Sequence, residues 1–421
     1  MDGSGRVFAP GFVDVAGGKV AAVGGAGEAP SPPEGCPVEK MPGLLLPGLI
    51  NGHAHSAMTV LRGAGEGLPL DRWLRQAIWP REARLHPEDV ADGMALGAAE
   101  MLLNGVTTSN EMYFFPEAVA AGALRAGLRC VVGAAIIEGL ERFGSPARQV
   151  DEALALAVEV AGEDLLEVAL APHSAYAVGD AHLRHAAEAA AERALSLHIH
   201  VAETAAEGDG VTARTGRTVP QHLSDMGVLE GRVLAAHCVW LTDDDISLFA
   251  EAGVGAAHCP GSNGKLGSGI APVRSMRRAG MAVAVGTDGP ASNDNLDLLE
   301  EVRLALLYSR LRDHDASALT AFEALGLATS EAAAALGRAD IGALMAGRWA
   351  DIIHVDLDRP EYGPLAAPEA AVAHLVWGGS SRDVTDVWVG GERVVEDGRL
   401  LTMALDEARL RVAAIARRIG A

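Results

Sequence analysis

From residue 45 onward, short apolar runs alternate with longer Ala- and Leu-rich stretches of helical spacing, the pattern of a repeated strand-plus-helix unit. The apolar runs read LLLPGLING, GVTTSNEM, LRCVVGAAI, LLEVALAPH, LSLHIHVAE, RVLAAHCVW, GVGAAHCPG and MAVAVGTDG. Eight successive units predict an α/β protein built on a closed (β/α)8 TIM-type barrel. An open doubly wound sheet usually has fewer strands and a Gly-rich phosphate turn, and no G-x-G-x-x-G follows the first run. The flanks differ: GKVAAVGG near the start, and DIIHVDLD with VTDVWVGGERVVEDGRL near the end, are hairpin-like, with Gly-Gly and Asp-Gly turns. They predict a small β-sandwich-like domain formed from both termini, residues 1–44 and 346–421, beside a barrel domain spanning 45–345.

The polar residues on these runs are not scattered. The first run ends at His53 and His55, the fourth at His173, the fifth at His200 and Glu203, the sixth at His237, the seventh at His258 and the eighth at Asp288. All fall at carboxyl ends of predicted strands, where barrels of this type build their active sites. Residues i and i+2 of a strand share a face, so His53 and His55 point at one spot.

Three histidines and a carboxylate (His53, His55, His200 and Asp288) form a nitrogen- and oxygen-rich set suited to one divalent metal, Zn2+ first, with Fe2+ or Mn2+ as substitutes. Barrels that hold two metals often bridge them with a carboxylated lysine. Lysine occurs here only at positions 19, 40 and 265, and the fourth run ends in APHSAY, so a single ion is expected. Water activated at a metal needs a group to move its protons. Glu203, three residues past His200, is the candidate. His237 would sit across the mouth to bind the attacking water or steady developing charge, and Asp288 counts as a catalytic group as well as a ligand. His198 shares the fifth run with His200 but lies deeper, which suits packing or support of a ligand. His258 is left without a role, and the remaining histidines are read as structural or solvated.

Composition narrows the partners. A formal charge of −22 opposes nucleic acid and anionic membranes, and no basic stripe offsets it. No run reaches the roughly 18 apolar residues of a membrane span. The four cysteines lie far apart without a Cys-x-x-Cys pair, and the amino terminus lacks a signal-peptide pattern, so the expected compartment is the cytoplasm. The expected partner is a small molecule, with a homo-oligomer left open.

Several segments carry a family resemblance: PGLINGHAHSAMTVLRG, LPLDRWLRQAIWPREARLHPEDV, HIHVAET, AAHCVWL, HCPGSNGKLGSGIAPV and VGTDGPASNDNLD. Over almost its full length the chain resembles the amidohydrolase superfamily, specifically its methylthioadenosine/S-adenosylhomocysteine deaminase group. The resemblance implies a barrel with a small β domain. It also implies one divalent metal, and replacement of the 6-amino group of an adenine nucleoside by oxygen. Its ligands match His53, His55, His200 and Asp288, and its proton-moving pair matches Glu203 and His237. In the substrate pocket it implies Trp73 near the base, Glu82 on the ribose hydroxyls, and His173 and Ser292 as lining. Arg148 matches one of two arginines that hold an amino-acid carboxylate. The chain departs from the pattern where the other arginine would stand, in CVVGAAIIEG, and also has Trp240 for the histidine of HCVHL and GSNGKL for SSNMKL.

A nucleoside deaminase is therefore expected. The alternatives are an amidohydrolase acting on another aminated heterocycle, a formimino compound or a chlorinated triazine, and, from a different class, a catalytically silent binding barrel.

Overall fold

A computed structural model describes residues 2 and 5–420. Eight parallel strands form one continuous sheet in sequence order: β1 (Leu49–Ala54), β2 (Val106–Tyr113), β3 (Arg129–Ile136), β4 (Leu166–Pro172), β5 (Ser196–Val201), β6 (Val233–His237), β7 (Gly255–His258) and β8 (Val283–Val285). Each apolar run of the sequence supplies one of them. The sheet closes where Asp288, just past β8, donates its N–H to the His53 carbonyl at 3.0 Å and Ala54 bridges Asp288 in parallel.

Closure depends on missing side chains. A Cβ at Gly286 would fall 2.8 Å from the backbone of His53, and one at Gly52 would fall 2.6 Å from the Ala284 methyl. Below this level Ile50, Leu234, Ala257 and Ala284 plug the barrel. Helices surround it, several held by Thr-initiated capping boxes such as Thr242/Asp245 and Thr218/Gln221.

The small domain consists of two antiparallel sheets. One pairs Gly11–Ala16 with Lys19–Gly25, and the other has five strands, in the order Arg399–Leu400, Glu392–Glu396, Val384–Val389, Ile352–Val355 and Leu44–Pro47. Val13, Val20 and Val23 of the first pack with Ile352 and Trp388 of the second, giving the expected sandwich.

The expected boundary shifts at two places. The run LLLPGLING is two strands: Leu44–Pro47 edges the five-stranded sheet, and only Leu49–Ala54 enters the barrel. The chain crosses at Gly48, whose N–H goes to the Asp351 carbonyl and where a Cβ would lie 2.1 Å from Thr107 Oγ1. At the other end, helix Leu405–Ile419 returns to the barrel and packs on helix Pro87–Leu103, with Arg418 paired to Asp89 at 2.5 Å. An amphipathic helix needs an apolar partner, and the barrel helix offers one.

A buried ion pair joins the two domains. Arg129, at the base of β3, donates Nε to Asp351 Oδ2 at 2.9 Å and Nη2 to Oδ1 at 3.1 Å, and stacks over Trp349. Truncating one partner leaves the other charge buried. Arg129→Met is therefore expected to cost about 3–5 kcal/mol in urea unfolding; a loss below about 1 kcal/mol would show that the pair does not hold the domains together.

Candidate active site

The strand ends present the site residues through strained turns. Ala202, His237 and Asp288 all have left-handed backbones, with φ of 49°, 69° and 59°. Such values are costly for residues other than glycine and recur at functional sites. The turn at Ala202 brings Glu203 back over the mouth from which His200 points.

Five side chains converge there. The ligand atoms of His53, His55 and Asp288 lie within 4.8 Å of one another, as do those of His53, His200 and His237. The hydrogen bonds behind them fix which nitrogen faces inward. His55 Nδ1 lies 2.5 Å from the Met112 carbonyl and His200 Nδ1 lies 2.7 Å from the His173 carbonyl, so each donates its proton outward. Their Nε2 atoms then face each other at 3.3 Å, with Asp288 Oδ1 3.2 Å from that of His55.

His53 follows the same logic one residue further out. Its Nδ1 is 2.8 Å from His198 Nε2, and His198 Nδ1 is 3.2 Å from the Asn110 side-chain amide. The deep histidine thus supports a candidate ligand. His53 Nε2 is buried with no hydrogen-bond partner. Imidazole nitrogens and a carboxylate oxygen converging within 4.8 Å, one nitrogen of them orphaned, are the donor set a divalent metal takes, so the residues fit one.

The charges are arranged accordingly. Burial lowers the pKa of His53 to about 3 and holds His200 well below the ordinary value, so both rings are neutral. Burial also lowers His55, but Asp288 and the Met112 carbonyl outweigh it and the net shift is upward. The two carboxyl groups diverge. Burial raises Glu203, whereas for Asp288 the adjacent His53 and His55 rings outweigh burial and hold it well below the carboxylate range. Environments that separate two carboxyls in this way mark a proton carrier and a permanent anion.

Asp288 is oriented by two serines the sequence reading did not connect to it. Ser262 and Ser292 donate to Oδ2 at 2.6 and 2.8 Å, leaving Oδ1 toward His53 and His55 at 3.4 and 3.2 Å. Glu203 Oε2 stands 3.9 Å from His237 Nε2.

These groups floor an open cleft of about 600 Å3. The segment after β1 forms one wall, including a π-helical turn Trp73–Ile78. Trp73 gives its indole N–H to the Ala64 carbonyl and so offers only its ring. Glu82 lies in the same wall, buried, accepting the Tyr113 hydroxyl at 2.9 Å, and burial raises its pKa to about 7. His173 lines the floor and Tyr176 the rim.

Two sequence expectations come out differently. Ser292 lies behind Asp288 and does not line the cleft. Arg148 begins helix Pro146–Glu159, is largely exposed and pairs with Glu152 four residues on, so it does not reach the cleft. Trp240 bonds to the Ser268 carbonyl, with its ring half in solvent, and forms no part of the wall. Among the described residues that line the cleft there is no lysine or arginine. His258 is buried outside both candidate ligand groups. Tyr113, Tyr176 and Ser262 were missed because the strand-end scan followed imidazoles and carboxylates. Tyr113 could have been found as the last residue of its strand.

The fold and site are those of a hydrolytic barrel built around a divalent metal. Residues 44–394 match the Amidohydrolase family. The 5-methylthioadenosine/S-adenosylhomocysteine deaminase of Pelotomaculum thermopropionicum is 41% identical over 97% of this chain and 94% of its own. The 5'-deoxyadenosine deaminase of Methanothermobacter thermautotrophicus is 40% identical over 85% and 83%. Among solved structures, a zinc-bound adenosine deaminase from Xanthomonas campestris superposes with a TM-score of 0.90 at 36% identity, covering 97% and 93%. Atrazine chlorohydrolase from Arthrobacter aurescens, complexed with zinc, reaches 0.87 at 28%, covering 96% and 94%. The chain belongs to the amidohydrolase family.

Ser262→Ala removes one of two donors that turn Asp288. It is expected to weaken Zn2+ binding by about 10–100-fold, read by competition with a chromophoric chelator. Unchanged affinity would mean that Asp288 is oriented without it.

Proposed function

We propose that the protein hydrolytically deaminates the 6-position of a 5′-modified adenine nucleoside, giving the inosine analogue and ammonia. The observation that carries this reading is the nest of inward-facing imidazoles around Asp288, with Glu203 3.9 Å from His237, in one cleft with a buried Glu82–Tyr113 pair. The Pelotomaculum and Methanothermobacter relatives are named as deaminases of 5′-modified adenosines, which supports the same substrate class.

One divalent ion, Zn2+ in this reading, is held by His53, His55, His200 and Asp288. When bound, it lowers the pKa of a water molecule and stabilises developing negative charge. His237, with Nδ1 turned to Asn263, offers Nε2 as acceptor to the attacking water. Glu203 takes a proton from that water and delivers it to ring N1 as the C6–O bond forms. It then moves the hydroxyl proton to the amino group, so that C6–N cleaves and ammonia leaves. Burial suits it to both roles by raising its proton affinity.

Glu82 and Trp73 belong to the nucleoside in this reading. The Glu82 oxygen not taken by Tyr113 accepts ribose hydroxyls, and Trp73 packs on the ligand. The 5′ substituent then meets a cleft rich in apolar groups such as Met58, Leu70 and Leu74, with no guanidinium among the described lining residues to receive a carboxylate.

The reaction is tested with zinc-loaded protein and a panel of 5′-modified adenosines and aminated triazines. Loss of adenine absorbance with one ammonia released per nucleoside is expected; turnover of the triazines alone would overturn the reading. Glu203→Gln is expected to keep its zinc and its KM while kcat falls at least about 100-fold. Near-normal turnover would assign proton transfer elsewhere. S-adenosylhomocysteine is expected to have a lower kcat/KM than 5′-methylthioadenosine, because its carboxylate finds no fork of donors to offset desolvation. The reverse order would place an unseen cation on the 5′ tail.

A further inference from the structure

The short segment Pro260–Ser268, downstream of β7, touches every reactive group of the mouth except the imidazoles on β1 and β5. Ser262 donates to Asp288, Asn263 meets His237, and the Ser268 hydroxyl lies against Glu203. The Ser268 N–H bonds back to the Asn263 carbonyl, so the last two are one local unit.

Asn263 is the element of this unit with the most defined geometry. Its side chain is buried, with Oδ1 2.9 Å from His237 Nδ1. An amide oxygen only accepts, so the bond requires a proton on Nδ1 and leaves Nε2 of the neutral ring as a lone pair. That lone pair faces Glu203 Oε2 at 3.9 Å, room for a shared proton-bearing atom of water or substrate. Asn263 Nδ2 is buried without a partner. The amide therefore gives up one hydrogen bond to keep its oxygen on the imidazole. His237 also carries a left-handed backbone at the end of its strand, where its ring packs on those of His53 and His200.

We propose that Asn263 is the positioning residue of the reaction: it fixes the tautomer and plane of His237 so that Nε2 and the Glu203 carboxylate receive the attacking water together. The assignment rests on the deaminase reading for its kinetic consequence but not for its structural one. Asn263 touches neither the substrate nor the proposed metal ligands. It acts through His237, as a base is oriented by a third group in other hydrolases.

The test uses the full-length, zinc-loaded protein. Asn263→Leu keeps the volume and removes the acceptor. It is expected to lower kcat by at least about 10-fold while KM stays within about twofold and zinc content is unchanged. Asn263→Asp, which restores an acceptor at the same place, is expected to recover most of the loss. Should Asn263→Leu fail to fold, Asn263→Ser, too short to reach Nδ1, is expected to show the same kinetic loss. Independently of activity, 15N spectra of metal-free, histidine-labelled protein are expected to show His237 as the Nδ1–H tautomer in the wild type and as a tautomer mixture in Asn263→Leu. Unchanged kcat, or a loss that follows zinc content or is not recovered by Asp, would overturn the proposal, as would a tautomer unaffected by the substitution. Wild-type turnover, measured first, tests the deaminase reading alone, and the tautomer result stands whatever that outcome.

Discussion

The first and last strands of the barrel close on each other at the active site itself. Asp288 donates its backbone N–H to the carbonyl of His53, so the two residues that complete the sheet also face each other with Oδ1 and Nε2. The geometry of the donor set is therefore the geometry of closure. Gly286 and Gly52 lack side chains because the strands must approach within backbone contact there. The arrangement makes the mouth rigid where ligands must be held to within tenths of an ångström, and it couples metal affinity to the integrity of the whole sheet.

Such a site is unfavourable for the chain by itself. It buries four imidazoles and two carboxyls against one another, and proton affinities among them are displaced in both directions. The cost is contained by an outer ring of neutral partners: backbone carbonyls of Met112 and His173, the ring of His198, the hydroxyls of Ser262 and Ser292, and the amide of Asn263. Each takes the outward atom of an inner group and leaves the inward atom free. One unpaired nitrogen, His53 Nε2, is left over at the centre, and a cation is the species that would complete the set.

Much of this was legible in the sequence because a barrel places chemistry at one end of each strand. Once the eight runs were marked, His53, His55, His200, Glu203, His237 and Asp288 fell at the same end of each, and the structure brings them to one mouth. The strand LLLPGLING was legible only as a hydrophobic run: nothing in its pattern tells that Gly48 passes it from one sheet to another, since both halves are apolar and both are buried. The final helix was hidden by its neighbours, because the hairpin signals before it suggested that the small domain continued. Side-chain direction was the other blind spot. Arg148 stands at a matching position, but its helix turns the guanidinium to Glu152. Ser292 supports Asp288 from behind. The outer ring was illegible for a general reason: serines, asparagines and tyrosines are common in loops, and only the fold shows which of them aim at an imidazole or a carboxylate.

The claim that closure seam and metal site are one object is tested most directly by diffraction at the zinc absorption edge from crystals of the zinc-loaded protein. One anomalous peak per chain is expected, bonded to Nε2 of His53, His55 and His200 and to Oδ1 of Asp288, with the Asp288–His53 backbone hydrogen bond intact beside it. A peak away from the seam, or two peaks of full occupancy in the mouth, would contradict it.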